Sequence, residues 1–310
     1  MHYSTLFPLA ALAGLSSATY SLVDDYGSGT SFFDGFTFYT GTDPTAGYVT
    51  YVDQSTATSA GLIKAEGNAT YIGVDHTNVA SGSGRQSVRL ESNTAYTTGL
   101  FILDLAHMPA SACGSWPAFW TYGPDWPNDG EIDIIEGANL QSTNQMTLHT
   151  SDDCTINDTG FAGTLENNNC YAEIDGNEGC DIVAKNEESW GATFNSYGGG
   201  VYAMEWTDDY IQIFWWIADD VPSDITSGSP DPSGWGTPAA YFAGDCDISS
   251  HFKENNIVFD ITFCGDWAGS VWSSGSCASY ASTCDTYVQE NPSAFSDVYW
   301  LINSLKVYQS

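Results

Sequence analysis

Glu131, Asp133 and Glu136 stand in the run Gly130-Glu131-Ile132-Asp133-Ile134-Ile135-Glu136-Gly137, three carboxylates within six residues of strongly β-prone sequence. On a regular strand, Glu131, Asp133 and Ile135 share one face, and Glu136 points the other way with Ile132 and Ile134. One extra residue in a β-bulge near Ile134-Ile135 returns Glu136 to the face of the other two acids. Ile132 and one of the other two isoleucines then pack into the core beneath. Four strand steps of about 3.3 Å set the outer Cα atoms roughly 13 Å apart. Side chains leaning inward can close the carboxyl groups to the roughly 5–5.5 Å that double displacement at a glycosidic bond requires. One carboxylate would attack the anomeric carbon, and the other, protonated, would serve the leaving oxygen and later deprotonate water. Asp133 can hydrogen-bond one glutamate and oppose a second ionisation nearby, which keeps one acid of a pair protonated. Spacing alone does not say which glutamate has which role. The alternatives are a solvated strand face, which three isoleucines and a glycine at each end disfavour, and a calcium site, because clustered carboxylates also ligate that ion.

The neighbouring side chains fit a sugar better than an ion. Trp116, Trp120 and Trp126 precede the acids, and Trp267 follows in Phe263-Cys264-Gly265-Asp266-Trp267. Pyranose rings have apolar C–H faces that stack on aromatic planes, while their hydroxyls seek Asp, Asn, Arg and His. Most of the eleven tryptophans belong in a core, but Trp126 and Trp267 sit in loop-like sequence beside Asp125 and Asp266 and are expected to be exposed. Trp215 and Trp216 are adjacent, so they face opposite sides of a strand. His149 lies on the strand expected after the acidic one, where antiparallel pairing can set it beside the acids. Arg85 and Arg89, two of only six Lys and Arg residues, suit either buried carboxylates or sugar hydroxyls.

Strands must carry these groups. Short alternating or apolar runs bounded by Gly, Asn, Asp, Pro or Ser predict strands over 48–53, 70–75, 87–91, 100–105, 131–136, 146–150, 201–206, 210–217, 256–263 and 301–308. Thr207-Asp208-Asp209 reads as a hairpin turn, 227–237 as a surface loop, and 282–289 as a short helix. Many strands, Gly-rich turns and no βαβ alternation point to an all-β, antiparallel β-sandwich or jelly roll.

Composition narrows the partners. The chain has 310 residues with 39 Asp and Glu against 6 Lys and Arg, a net charge of −33. Such a polyanion repels phosphate backbones and anionic lipid, which argues against nucleic acid and membrane surfaces and is indifferent to a neutral ligand. With 42% hydrophobic residues it is no disordered acidic tail. No nucleophile elbow, paired-His zinc motif or phosphate loop competes with the carboxylates. Residues 1–18 read as a secretory signal peptide, an apolar run over 6–15 followed by Ser16-Ser17-Ala18, and 19–310 as one domain beginning near Thr19. Secretion places the eight cysteines in an oxidising compartment, so up to four disulfides are expected among 105 pairings, with at least one short-range bridge within Cys154, Cys170 and Cys180. Asn68-Ala69-Thr70 and Asn157-Asp158-Thr159 are glycosylation sequons on the same route.

At these residues the sequence resembles glycoside hydrolase family 16, within its fungal laminarinase-type endo-β-glucanases. The family's E-x-D-x-x-E pattern is matched by Glu131, Asp133 and Glu136. Trp116-Pro117-Ala118 with Trp120, Asp125-Trp126-Pro127-Asn128, 146–150, 262–269, 291–295 and the cysteine pattern match as well. The resemblance implies a curved, concanavalin A-like jelly roll with a groove across its concave sheet. It implies Glu131 as nucleophile, Glu136 as acid/base and Asp133 as their partner, with retained anomeric configuration. It lends sugar-binding roles to Trp120, Trp126, His149, Trp267 and Arg89. Thr50 departs from the Asn that related enzymes carry, which affects one distal subsite contact. The expectation is a secreted, monomeric endo-β-glucanase acting on neutral β-1,3 and mixed-linkage β-1,3-1,4 glucans. No cofactor or metal is called for beyond a structural calcium as an option. A transglycosylase of the same family and a non-catalytic glucan-binding jelly roll are the alternatives.

Overall fold

The computed structural model describes residues 20–310. The expected signal peptide over 1–18 and the start near Thr19 lie outside the described residues. Strands are numbered in chain order. One sheet runs β17 (Ala240–Phe242), β16 (Ile211–Ile217), β15 (Gly200–Trp206), β8 (Gly99–His107), β20 (Tyr299–Gln309), β5 (Ala69–Gly73), β4 (Ile63–Glu66), with β1 (Ser21–Asp25) also paired to β20. The other runs β13 (Thr164–Asn167), β14 (Cys180–Val183), β11 (Gln145–His149), β10 (Glu131–Glu136), β9 (Ser115–Tyr122), β19 (Asn255–Phe263), β7 (Arg89–Tyr96), β2 (Phe36–Phe38). Both are antiparallel, and two short pairs complete the set: β12 (Cys154–Ile156) with β18 (Gly244–Cys246), and β3 (Val49–Tyr51) parallel to β6 (Arg85–Ser87).

The sheets face each other across one continuous core that takes alternate residues from each strand. Phe259 of β19 meets Trp300 of β20 edge-on at 5.8 Å, and Tyr96 of β7 meets Phe101 of β8 at 5.3 Å. Burying such a side chain is worth about 1.5–3 kcal/mol over leaving it in water. The expected β-sandwich is therefore observed, each of the ten predicted runs falls on a strand, and the helix forms at Cys284–Glu290. Trp206 and Ile211 close the predicted hairpin, and Trp215 and Trp216 pack on opposite sides of β16.

The alternation misses β9, the strand that carries Trp116 and Trp120. Pro117 sits in its middle and ordinarily excludes a residue from an interior strand. Here β10 ends opposite Ala118, so at Pro117 the ladder continues only towards β19. Four disulfides join Cys113 to Cys277, Cys154 to Cys246, Cys170 to Cys180 and Cys264 to Cys284. The pair ten residues apart, Cys170 and Cys180, is the short-range bridge.

Candidate active site

Gly130 delivers the chain into β10. Its backbone is left-handed (φ 75), and a Cβ there would lie 2.3 Å from the Phe252 ring and 2.6 Å from the His251 carbonyl. Glu131, Ile132 and Asp133 then pair regularly with Tyr122, Thr121 and Trp120 of β9 and with His149, Leu148 and Thr147 of β11. Beyond Asp133 the register slips. Ile135 pairs with Phe119 and Glu136 with Ala118, which makes Ile134 the extra residue. On the β11 side the next pair is Glu136 with Gln145. This is the bulge expected from the sequence, and it brings Glu136 onto the face of Glu131 and Asp133. One detail differs: Ile132, Ile134 and Ile135 are all in the core, because the bulge lets two consecutive isoleucines turn inward.

A groove of about 1070 Å³ crosses this sheet. Glu131, Glu136, Trp120, Trp126, His149, Trp267 and Arg89 all line it, and Asp133 lies in its floor at 1% exposure. Each glutamate accepts an indole N–H: Glu131 Oε2 from Trp126, and Glu136 Oε1 from Trp116 at 2.7 Å. Trp126 is exposed, as its loop sequence suggested, whereas Trp267 is half-buried and stands edge-on to Trp116 at 5.6 Å. Its segment, Gly265–Gly269, follows the Cys264–Cys284 bond and is held by Asn139 Nδ2 donating to the Ala268 carbonyl.

The charges are unequal by construction. Burial, then the Asp133 carboxylate, push Glu131 up to about 7 against the opposing pull of His149, the Trp126 N–H and Arg89. The same two causes hold Glu136 well above the usual carboxylate range. Burial disfavours a charged His149, yet Glu131, Asp133 and Glu136 raise it to about 9. Its Nδ1 lies 3.0 Å from Asn177 Oδ1 and its Nε2 lies 3.4 Å from Asp133 Oδ2. Both partners are acceptors, so the doubly protonated ring donates to Asn177 and forms an ion pair with Asp133. The oxygen and nitrogen atoms of Glu131, Asp133 and His149 lie within 4.8 Å of one another, the spacing of a metal site. A protonated imidazole is no ligand, and calcium prefers six to eight oxygens. The donor set suits proton transfer better.

Two flanks border the acids. Towards β9, β19 and β7, Arg89 sits among carboxylates and rings. Its Nε donates to Glu91 Oε1 at 2.9 Å, its Nη1 stands 4.0 Å from Asp260 Oδ2, and it lies 5.0 Å from the rings of Tyr39 and Trp120. Asp260 also accepts from Tyr51 OH at 3.0 Å and from Trp120 Nε1 at 3.3 Å, and Tyr122 OH donates to Glu91. Burial lowers Arg89, but Asp260, Tyr51 and Glu91 raise it further; burial lifts Asp260 to about 6 even so. Of the two alternatives for an arginine here, Arg89 meets both: it pairs buried acids and reaches the groove. Arg85 is wholly structural, its guanidinium spent on the carbonyls of Asp75, Asn78 and Val288. Towards β11, β14 and β13, the wall holds Asp181, Glu166 and Glu178, and burial followed by those two glutamates raises Asp181 to about 6. Asn177 and Glu178 belong to the loop closed by Cys170–Cys180. Thr50 does not line the groove; its hydroxyl meets Ser83 Oγ at 2.7 Å.

Sequence reasoning missed Glu91, Tyr122, Asp260, Gln145, Thr147 and Asp181 on the groove face, and gave Trp116 no defined role. The strand registers would have found them: Tyr122, Gln145, Thr147 and Asp260 are cross-strand neighbours of an acid or of Arg89, Asp181 lies one strand further out beside Thr147, and Glu91 follows Arg89 by two residues on the same face of β7.

The comparisons with known proteins agree with this geometry. A family model described as "XgeA-like, catalytic GH16 domain" matches residues 36–308. An endo-1,3(4)-beta-glucanase of Arthroderma benhamiae is 48% identical over 100% of this chain and 69% of its own length. A probable endo-1,3(4)-beta-glucanase of Aspergillus fumigatus is 47% identical over 99% of this chain and 48% of its own. The chain thus spans about half the length of the first curated relatives it matches. Among solved structures, the GH16 Laminarinase 16A of Phanerochaete chrysosporium, holding 6-O-glucosyl-laminaritriose in donor and acceptor sites, aligns with TM-score 0.89 and 46% identity over 94% of this chain and 100% of that one. An elongating GH family 16 beta-1,3-glucosyltransferase aligns with TM-score 0.88 and 46% identity over the same shares. These likenesses make the sandwich a jelly roll of the laminarinase kind.

Proposed function

The chain belongs to glycoside hydrolase family 16, and from that premise we propose that it is a secreted endo-acting β-glucanase that cleaves β-1,3 bonds, and β-1,4 bonds beside them, with retained configuration. Glu131 is the nucleophile, Glu136 the acid/base, and Asp133 the partner that keeps them out of step. The observation that carries this reading is the bulge. It puts two differently held glutamates on one groove face, with Glu136 raised well above the usual carboxylate range. Burial and Asp133 push both glutamates up, and in this reading the proton is kept on Glu136 while Glu131 ionises beside the His149 cation.

In the first step Glu131 bonds to the anomeric carbon as Glu136 gives its proton to the departing oxygen. In the second, water attacks that carbon, gives a proton to Glu136, and Glu131 leaves as carboxylate. Trp120, Trp126 and Trp267 offer ring faces for glucosyl units, and Arg89 and His149 offer donors for hydroxyls. The printed names of the curated relatives support β-1,3(4)-glucan as substrate, and the laminarin-type oligosaccharide held by the Phanerochaete structure supports the groove as its site. Four disulfides and exposed sequon asparagines at 68 and 157 support secretion. Residues 19–310 act as one catalytic unit in this reading.

Glu131→Gln and Glu136→Gln should each lower reducing-end release from laminarin by about 10²-fold to 10⁴-fold, with lichenin and carboxymethylcellulose assayed alongside to fix linkage preference. Azide should rescue Glu131→Ala and yield the inverted glycosyl azide; no such product would undo the nucleophile assignment. A second reading, glucan elongation, is favoured by the 46%-identical glucosyltransferase structure. Products longer than the starting oligosaccharide would establish it, since sugar would then outcompete water for the same intermediate.

A further inference from the structure

Glu136 reaches the groove only because β10 carries an extra residue, and a bulge takes backbone groups out of the ladder that would otherwise pair them. One buried side chain serves both groups here. Asn144 Oδ1 accepts the Glu136 backbone N–H at 2.9 Å, and Asn144 Nδ2 donates to the Ile134 carbonyl at 2.9 Å. The carboxamide thus spans the inserted residue from its carbonyl to the amide of the acid itself. Asn144 is 0% exposed and its own backbone is fixed as well, its N–H donating to Ser189 Oγ at 3.0 Å and its carbonyl accepting from Ala184 at 2.9 Å. Ser189 in turn accepts the hydroxyl of Tyr202, a residue of β15 in the opposite sheet. Asn144 is not among the groove-lining residues, so any effect it has passes through the bulge.

We propose that Asn144 is the positioning residue for Glu136: by bridging the bulge it holds the proton-bearing carboxyl against the glycosidic oxygen, while Glu131, in the regular part of the ladder, is placed without it. The chemistry of the site selects this residue type. A donor and an acceptor two positions apart need one group of each kind on a short side chain, which asparagine supplies and aspartate does not. The inference rests on Glu136 being the acid/base, and it predicts an asymmetry: disturbing Asn144 should damage proton donation and spare nucleophilic attack.

The test compares two substrates in folded Asn144→Leu enzyme, laminarin and 2,4-dinitrophenyl β-laminaribioside. Dinitrophenolate leaves without a proton, so formation of its glycosyl-enzyme does not need Glu136 in place. The expected result is a fall of about 10²-fold in kcat/KM on laminarin, with kcat/KM on the aryl glycoside nearly unchanged. On the aryl glycoside, kcat and KM should fall together, because water attack then lacks its base, and azide should restore kcat. Equal losses on both substrates in protein with an intact unfolding transition, or no loss on laminarin, would overturn the proposal. Should Asn144→Leu not fold, Asn144→Asp reports the same ratio, keeping the acceptor for the Glu136 N–H and losing the donor to Ile134. Glu136→Ala is the control for the parent reading. If it fails to spare the aryl glycoside, the acid/base assignment falls; if it spares it and the Asn144 variants do not, only the positioning role falls.

Discussion

The two flanks of the acidic strand solve the same problem in opposite ways. On the β9–β19–β7 side, buried carboxylates are answered by a cation: Arg89 lies between Glu91 and Asp260 inside a cage of Tyr39, Trp120 and Tyr122. On the β11–β14–β13 side, Asp181 gathers Glu166 and Glu178, and His149 supplies the facing positive charge. The first flank sets one cation between two carboxylates and surrounds it with rings, a place for ring faces to stack. The second gathers negative charge around Asp181, which His149 pulls down against its two glutamates. The contrast teaches that a strongly acidic chain need not balance its charges everywhere; it balances them where rings must be held, and leaves surplus where a proton must be.

Removing Arg89 should have the largest effect of the flank variants. Arg89→Met leaves the buried Asp260 and the half-buried Glu91 without their cation, which costs about 3–5 kcal/mol and should appear as a large fall in thermal midpoint at pH 7. A midpoint within error of the parent would mean the charge balance on that flank does not matter. The acidic flank should respond with the opposite sign: Asp181→Asn removes a carboxylate held up to about 6 and should raise the midpoint at pH 7, with the gain vanishing near pH 4. A fall at pH 7 would erase the distinction between the flanks.

The same charges set the pH dependence of stability. Asp181 and Asp260 are held up to about 6 and Glu131 to about 7, all above their unfolded values near 4. A raised carboxylate binds more protons folded than unfolded, so its stabilisation is complete below about pH 4 and is lost as pH rises through 6 to 7. Unfolding midpoints at pH 4.5 should therefore exceed those at pH 7.5, and the reverse order would contradict the shared direction of these shifts. The smallest effect is expected for Asn177→Ala, which deprives His149 Nδ1 of its acceptor. With the imidazolium less favoured, Glu131 ionises later, and the acid limb of kcat/KM on laminarin should move to higher pH with a loss of less than about threefold at pH 5.

The three acids, their bulge and the groove-side placement of Trp126 and Trp267 were legible because their signal is local, whereas Trp120 and Arg89 drew their expected place in the groove from the family resemblance. An acid one position out of phase in an apolar strand announces a kink, and tryptophan beside aspartate in a Gly/Pro-rich stretch announced the exposed ring of Trp126, though Trp267 is half-buried against Trp116. His149 was legible for a different reason: consecutive strands pair, and Glu131 does face it. Asp260 lies within a predicted strand, yet nothing in 256–263 marks it as the partner of Arg89, because that pairing crosses from β19 to β7. Asp181 sits on a four-residue strand whose Asn- and Gly-rich surroundings read as loop. Asn144 is invisible in sequence; it lies inside the polar run Gln141-Ser142-Thr143-Asn144-Gln145 and acts through space on β10. The pairing of eight cysteines is likewise a property of the folded chain, apart from the short Cys170–Cys180 loop.

The disulfide between Cys113 and Cys277 spans 164 residues. A ribosome delivers the chain from its N-terminus, so Cys113 waits as a thiol while Cys154, Cys170, Cys180, Cys246 and Cys264 emerge ahead of its partner. Cys170 and Cys180 can close almost as soon as they appear, and Cys154 when Cys246 follows, which takes three of those five rivals and Cys246 itself out of competition. Cys264 alone remains as a wrong partner, and it too is spoken for only when Cys284 arrives. Correct pairing of Cys113 is thus a matter of order: four of its five earlier-emerging rivals have partners of their own within reach before Cys277 appears.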